Sequence, residues 1–352
     1  MNTLIMPCGG KSSRFPNMKP KYLLTAPDGE LMIQHAIRGL NTEIFDRIII
    51  TIIREHDEKY DAALWLRQAF ADNKKIEICI LDDFTKSASE TIALTIEKMN
   101  ITGAVVIKDC DNFVDVKIPN PITNSITGFS LCNRPEITNV QGKSFLIINE
   151  QNIIQDIIEK KIVSEIICIG VYAFANAADF ISAYNEIINK DVHGELFLSN
   201  VISYMINRKN IMFEALFADD YHDWGTICEW KKIQKSMRTY FIDVDGVIIK
   251  NSGKFGKINW SNNTTLLDKN VAAIKRLQDN GAQIVITTAR TDEYRAALEK
   301  ILSDAGIKPY AMIMGLNHAA RVLINDFAPT NPYPSAIAIS FPRNEDMTSY
   351  IE

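Results

Sequence analysis

Apolar positions recur along this chain in two rhythms. Short solid runs at Thr3–Met6, Arg47–Ile53, Ile76–Leu81 and Ala104–Lys108 are apolar on both faces, which predicts strands buried inside a parallel sheet. Between them, 31–40, 57–71 and 90–99 carry the three-to-four spacing of amphipathic helices. From Val114 to Glu150 the pieces become short, alternating and turn-rich, an antiparallel insertion, before Ile166–Phe174 returns to a buried strand. The polar, helical stretch 229–238 predicts the close of this series. A second series comes next, with strands at 240–242, 283–287 and 321–324 and helices at 270–280 and 293–304; Gly281 supplies a C-cap. The pattern predicts an α/β protein of two domains, 1–237 and 238–352, each a mainly parallel sheet with helices on both faces.

Composition agrees with two ordinary cores. Of 352 residues, 47% are hydrophobic and 23% charged, which excludes wholesale disorder. Lys and Arg total 38 against 43 Asp and Glu, a net charge of −5, so a nucleic-acid partner is not expected. The six cysteines form no Cys-x-x-Cys pair, and in a chain of this size they read as reduced thiols in cytoplasm. The N-terminus has no basic and apolar leader pattern, and no apolar run reaches the ~20 residues of a membrane helix. A cytoplasmic protein without membrane insertion is expected.

Candidate chemistry begins directly after the first strand. Gly9 and Gly10 let backbone N–H groups approach phosphate oxygens, Ser12 and Ser13 add hydroxyl donors, and Lys11, Arg14 and Lys21 add charge. The spacing is neither that of a P-loop nor of a dinucleotide fingerprint. A basic surface turn is the plainer alternative.

Further along, Gly10-Lys-Ser-Ser-Arg14 with Pro20-Lys-Tyr-Leu23 resembles the opening of the sugar-phosphate nucleotidylyltransferases, Ser12 standing where a second glycine is usual. Other stretches resemble that family in order: Thr85–Thr91, Asp109-Cys-Asp111-Asn112, Ile162–Ser164 with Gly170-Val-Tyr172-Ala-Phe174, Glu195–Asn200 and Asp223-Trp-Gly-Thr226. The resemblance spans residues 1–230 and implies a Rossmann-like nucleotidyltransferase fold. It also implies that Asp111 and Asp223 hold Mg²⁺, that Arg14 binds the leaving pyrophosphate, and that Lys21 stabilises the transferring phosphoryl group. Ser87 and Thr91 would contact the nucleobase, while Gly170 and Glu195 would border the sugar. Partners implied are a nucleoside triphosphate, CTP or dTTP first, and a small phosphorylated metabolite of surface-polysaccharide synthesis. Loops 85–91 and 192–200 would set specificity.

In the second series, Tyr240-Phe-Ile-Asp243-Val-Asp245-Gly-Val247 delivers two aspartates to one side of a strand end. With Ile284–Arg290, which ends in Thr288-Ala-Arg290, and Val322–Asp326, it resembles the haloacid-dehalogenase-like phosphatases. By that resemblance Asp243 is the nucleophile, Asp245 the proton donor and acceptor, and Thr288 a phosphoryl holder. Asp243, Asp245 and Asp326 would bind Mg²⁺. The lysine usual to the third motif is missing near 314–321, where Arg321 is the nearest cation. The intervals 245–288 and 288–326 hold no inserted cap, so an open site shielded by homo-oligomerisation or by a neighbouring lid is expected. The loop 251–257 could touch substrate. A phosphate-binding regulatory role for this domain stays open as the alternative.

Overall fold

The computed structural model describes residues 1–352 except 133, 135, 136, 138, 139, 189–193, 254–259, 261–264, 327–334 and 352. The start of the 192–200 loop and residues 254–257 of the 251–257 loop therefore lie outside the described residues. The chain forms two compact units, Met1–Glu229 and Trp230–Glu352. Their division falls within the helix Ile227–Ser236, earlier than the 237/238 boundary read from sequence. A continuous polar helix carries no Gly or Pro signal to mark such a point.

The first unit contains β1 (Asn2–Pro7), β2 (Arg47–Ile53), β3 (Ile76–Leu81), β4 (Ala104–Lys108), β5 (Asn112–Asp115), β6 (Ser125–Ser130), β7 (Ser144–Ile148), β8 (Ile154–Glu159), β9 (Ile166–Phe174), β10 (Glu214–Phe217) and β11 (Asp220–Asp223). The main sheet runs β10-β6-β9-β4-β1-β2-β3, with the β7–β8 hairpin joined to β9. Strands β3, β2, β1 and β4 are parallel. Strand β9 runs antiparallel to both β4 and β6, so the antiparallel insertion is woven into the same sheet. From β1 the chain builds outward to β2 and β3, then returns to lay β4 on the other side. The carboxyl ends of β1 and β4 are thus a topological switch point, where such sheets open a binding crevice. Ile5, Ile49, Val105, Ile107, Phe174 and Phe180 belong to the core beneath it.

The helical stretch at 57–71 is two helices, Arg54–Tyr60 and Ala62–Ala69. Asp61 breaks them at φ 51°, a left-handed conformation that Asp tolerates better than bulky residues. The Asp57 carboxylate accepts from the Ala63 N–H at 2.8 Å and caps the second piece.

His56 lies buried in this corner, its Nδ1 3.2 Å from the Tyr22 hydroxyl and its ring edge-on to Phe84 at 5.3 Å. Burial lowers the imidazole's proton affinity, with Glu55 opposing and Lys59 adding to the effect. The unfolded chain, titrating near 6.5, therefore takes up this proton at higher pH than the folded state does. The contribution is complete above that pH and is lost as pH falls through it. The urea midpoint is expected to drop between pH 7 and 5, by at most about 1.4 kcal/mol per pH unit for this one proton. His56→Phe should flatten that drop; parallel curves for the two proteins would assign the loss elsewhere.

The second unit is built on β12 (Thr239–Asp243), β13 (Gln283–Thr287) and β14 (Ala311–Ile313), parallel in that order. Helices Asp268–Asp279 and Arg295–Asp304 accompany it. Ile242, Val244, Ile274, Ile284, Ile286, Leu298 and Leu302 form its core. The strand expected at 321–324 is not formed: Val322 and Ile324 are 76% and 92% exposed, and among the described strands β12 pairs only with β13. An apolar run without a ladder partner is not held as a strand.

Candidate active sites

Strand β4 ends at a buried lysine that ties down the turn into β5. Lys108 Nζ donates to the carbonyls of Asp109 at 2.7 Å and Asn112 at 2.9 Å, and to the Asn112 side-chain oxygen. Burial brings this ammonium down to about 8 against the pull of Asp109. The knot turns the chain so that Asp111 projects between β4 and β5.

Two further contacts fix the opposite carboxylate. In the β5–β11 ribbon Asp223 stands opposite Asn112, and the Trp224 N–H donates to the Asp111 carbonyl at 2.8 Å. A Cβ at Gly225 would lie 3.0 Å from Asp223 Oδ1 and 3.2 Å from Asp111 Oδ2, so both carboxylates converge on one point. The structure thus brings Asp111 and Asp223 together from distant parts of the unit's sequence.

Each is matched by a lysine. Lys21 Nζ donates to Asp111 Oδ2 at 2.6 Å, and Lys143 Nζ pairs with Asp223 Oδ2 while donating to the Tyr221 hydroxyl at 2.8 Å. Burial opposes the Asp111 carboxylate, but Lys21, followed by Lys143 and Lys108, holds it down at about 2. Burial likewise works against the Lys21 ammonium, and Asp111 outweighs it, raising Lys21 above its ordinary value. Neighbouring Asp109 goes the other way: burial and then the Asp111 charge push it up to about 6. Two oxygen-only side chains converging beside cations suit Mg²⁺, which is commonly held by one or two carboxylates plus substrate phosphates.

Gly170 in β9 guards this arrangement. It sits at φ 82°, and a Cβ there would overlap the Asp109 carboxylate and lie 2.8 Å from Asn112 Nδ2. Gly170→Ala is expected to cost about 2–4 kcal/mol of stability in urea unfolding, from backbone strain and overpacking together. A change below about 0.5 kcal/mol would show that the site absorbs a methyl group without strain.

The loop 8–20 rises from β1 toward these groups. Ser12 adopts φ 49°, the conformation glycine adopts with least strain, and its hydroxyl accepts from the Lys21 N–H at 3.2 Å. Gly9 is buried, and a Cβ there would meet Thr91 Oγ1 at 2.7 Å. Gly10, Lys11, Ser13 and Arg14 are exposed, Lys11 lying over the Phe84 ring at 5.5 Å. Ser87 and Thr91 serve the helix Ala88–Lys98: Ser87 caps it, and Thr91 Oγ1 bonds back to the Ser87 carbonyl at 3.1 Å. Glu195 is exposed in a loop.

Lys143 escaped the sequence reading because it lies far from Asp223 in sequence, in a turn-rich stretch without a motif. Glu159, likewise unassigned, accepts from Ser144 at 2.5 Å across the β7–β8 hairpin and from Ser199 of the helix Leu198–Lys209 at 2.6 Å.

In the second unit, Asp243 and Asp245 lie at the end of β12, and Thr288 and Arg290 lie just beyond β13. The Asp243 Oδ1 accepts from the Val244 N–H at 2.9 Å, and burial raises this carboxyl above its ordinary range. Fully buried Arg290 grips Asp245 with both prongs, Nε to Oδ2 at 2.9 Å and Nη2 to Oδ1 at 2.7 Å. Thr288 Oγ1 accepts from the Arg290 N–H at 3.1 Å. Arg321 is exposed, its Nη1 donating to the carbonyls of Asn317 and Ala319, both at 2.8 Å. Asp326 ends an exposed segment, and among the described residues no three ligand atoms here gather within 4.8 Å.

The fold of the first unit is that of known nucleotidyltransferases. The nucleoside-diphosphate-sugar pyrophosphorylase from Vibrio cholerae RC9 matches with a TM-score of 0.55 at 19% identity, covering 66% of this chain and 99% of that one. The inositol-1-phosphate CTP transferase from T. maritima matches with a TM-score of 0.51 at 10% identity, covering 66% and 94%. A UDP-glucose pyrophosphorylase complexed with UDP-glucose gives 0.50 at 14% identity, covering 67% and 98%. Residues 240–319 match the haloacid dehalogenase-like hydrolase family. No curated protein matches the chain. The protein therefore joins a nucleotidyltransferase-like fold to a segment similar to the haloacid dehalogenase-like hydrolases. No helix among the described residues is long and apolar enough to cross a membrane.

Proposed function

We propose that the first unit transfers a nucleotidyl group from a nucleoside triphosphate to a small phosphate ester, releasing pyrophosphate. The observation that carries this reading is the convergence of Asp111 and Asp223 beside Lys21 and Lys143. An acceptor phosphate oxygen attacks the α-phosphorus, the new P–O bond forms, and the bond to the β-phosphate oxygen breaks. Both reactants are anionic, so the site's task is to place charge against charge. Lys21 faces the transferring phosphoryl group and Arg14 the pyrophosphate. The attacking phosphate is already ionised, so no general base is needed. Mg²⁺ held by Asp111 and Asp223 would add Lewis-acid polarisation and a template for the phosphates. CTP and dTTP are the first nucleotides to test, with sugar phosphates of surface-glycan synthesis as acceptors.

The second unit is read as a phosphomonoesterase acting in the cytoplasm on a related metabolite. An Asp243 oxygen attacks phosphorus, the ester oxygen leaves with a proton given by Asp245, and water, giving a proton back to Asp245, then hydrolyses the aspartyl phosphate. Asp245, oriented by Arg290, takes the water's proton. One observation favours a second reading, a phosphate-binding regulatory domain: both Asp245 oxygens already accept from Arg290.

Two assays with Mg²⁺ separate these readings. Pyrophosphate release is measured for each nucleoside triphosphate against a panel of sugar phosphates, and phosphate release from simple esters. Absence of pyrophosphate with every pair would sink the transferase reading. Absence of ester hydrolysis would leave the regulatory one.

A further inference from the structure

A phosphoryl dianion entering the second site meets Asp243 and Asp245. Arg290 balances Asp245, which leaves Asp243 facing the incoming charge with no cation in bonding contact among the described residues. Repulsion of this kind is offset in phosphate sites by fixed donors aimed at the phosphoryl oxygens. Residues 314–321 contain no lysine, and the Arg321 Nη1 is tied to carbonyls of its own loop.

A different arginine is carried to the site by the C-terminal segment. The Arg343 stem lies on Gly246: a Cβ there would be 2.6 Å from Arg343 Cγ and 3.4 Å from its Cδ. Gly246 also sits at φ 98°, so the loop that carries Asp243 and Asp245 has a glycine where both the backbone and Arg343 require one. The next residue anchors the approach. The Asn344 N–H donates to the Gly246 carbonyl at 2.8 Å, and the Asn344 side chain accepts from the Asn251 N–H at 2.6 Å and donates to the Asn251 carbonyl at 3.1 Å. Buried Asn270 fastens the segment further, donating to the Glu345 carbonyl at 2.9 Å and accepting from the Met347 N–H at 2.9 Å. This is a built attachment of the segment to the loop. Among the described residues the Arg343 guanidinium has no hydrogen-bond or ion-pair partner; both Arg321, the stronger, and Arg343 act on the Asp243 charge, but only Arg343 is not tied to carbonyls of its own loop.

We propose that Arg343 is a phosphate-binding residue of the second site, whose guanidinium holds the phosphoryl oxygens of the ester above Asp243. As a catalytic residue it rests on the phosphomonoesterase reading; as an anion-binding residue it does not. Its planar fork matches two phosphate oxygens at once.

The test uses the full chain with Mg²⁺ and two readouts: calorimetric binding of inorganic phosphate, and hydrolysis of p-nitrophenyl phosphate. Arg343→Ala is expected to weaken phosphate binding at least tenfold and lower kcat/KM about 100-fold, the scale of losing one preorganised donor. Arg343→Lys should recover part of both, because it restores charge without the fork. Matching thermal midpoints for parent and variants would exclude unfolding as the cause. Arg343→Ala within twofold of the parent in both readouts overturns the proposal, as does a parent that binds no phosphate, or a loss that tracks Arg321→Ala instead. If the parent binds phosphate but hydrolyses no ester, the phosphomonoesterase reading fails while phosphate affinity still decides the role of Arg343.

Discussion

Asp111→Ala should lower pyrophosphate release by at least about 1,000-fold while ester hydrolysis stays within twofold of the parent. A thousandfold loss corresponds to about 4 kcal/mol of transition-state stabilisation. Asp111 is one of two carboxylates converging near Gly225, so its removal halves the carboxylates available to a divalent cation. It also strips Lys21 of its partner at 2.6 Å and leaves that ammonium to turn toward Asp109 or substrate. Raising pH should not rescue the variant, because the proposed transfer uses no general base. Titration with Mg²⁺ divides the loss into two parts: recovery at high Mg²⁺ means lost affinity, and a persistent deficit means lost geometry. Wild-type rates in Asp111→Ala would remove this carboxylate from the mechanism.

Asp243→Asn should have the converse effect, lowering ester hydrolysis by about 10,000-fold or more and leaving pyrophosphate release unchanged. Asparagine keeps the shape of the side chain and an oxygen to accept from the Val244 N–H, so the loop should stay folded. What it lacks is a nucleophile able to form the phosphoenzyme. Burial raises the Asp243 carboxyl, so parent activity should decline on acidification sooner than an ordinary aspartate would give. The decline comes as pH falls, since protonation removes the attacking lone pair. Substantial hydrolysis by Asp243→Asn would point to another nucleophile or to a contaminating phosphatase.

Much of this architecture is legible in the sequence because parallel α/β sheets write themselves as solid apolar runs. Strands at 47–53, 76–81, 104–108, 166–174 and 283–287 coincide with the observed elements. Gly170 is legible only as a motif position expected to border the sugar; its positive φ and close approach to Asp109 are seen only in the structure. The pairs Lys143–Asp223 and Arg343–Gly246 are not legible. Each depends on a long-range approach between segments that carry no periodic signal, and a lone cation in a turn looks like any solvated charge. The apolar run 321–324 misleads for the opposite reason: local pattern predicts a strand, but a strand needs a neighbour, and β12 does not supply one among the described strands.

The β5–β11 ribbon bears on the order in which the first site comes into being during synthesis. Lys21 and Asp111 leave the ribosome within the first third of the chain, whereas Asp223 emerges more than a hundred residues later. Its partner strand β5 must wait for it with an open ladder, and pairing over so long a separation is a late and slow event. A nascent chain ending before Asp220 would carry the glycine loop, both lysines and a single carboxylate, an anion cradle without its second jaw. Catalytic competence would then be acquired in a single closing step, when the short strand β11 docks.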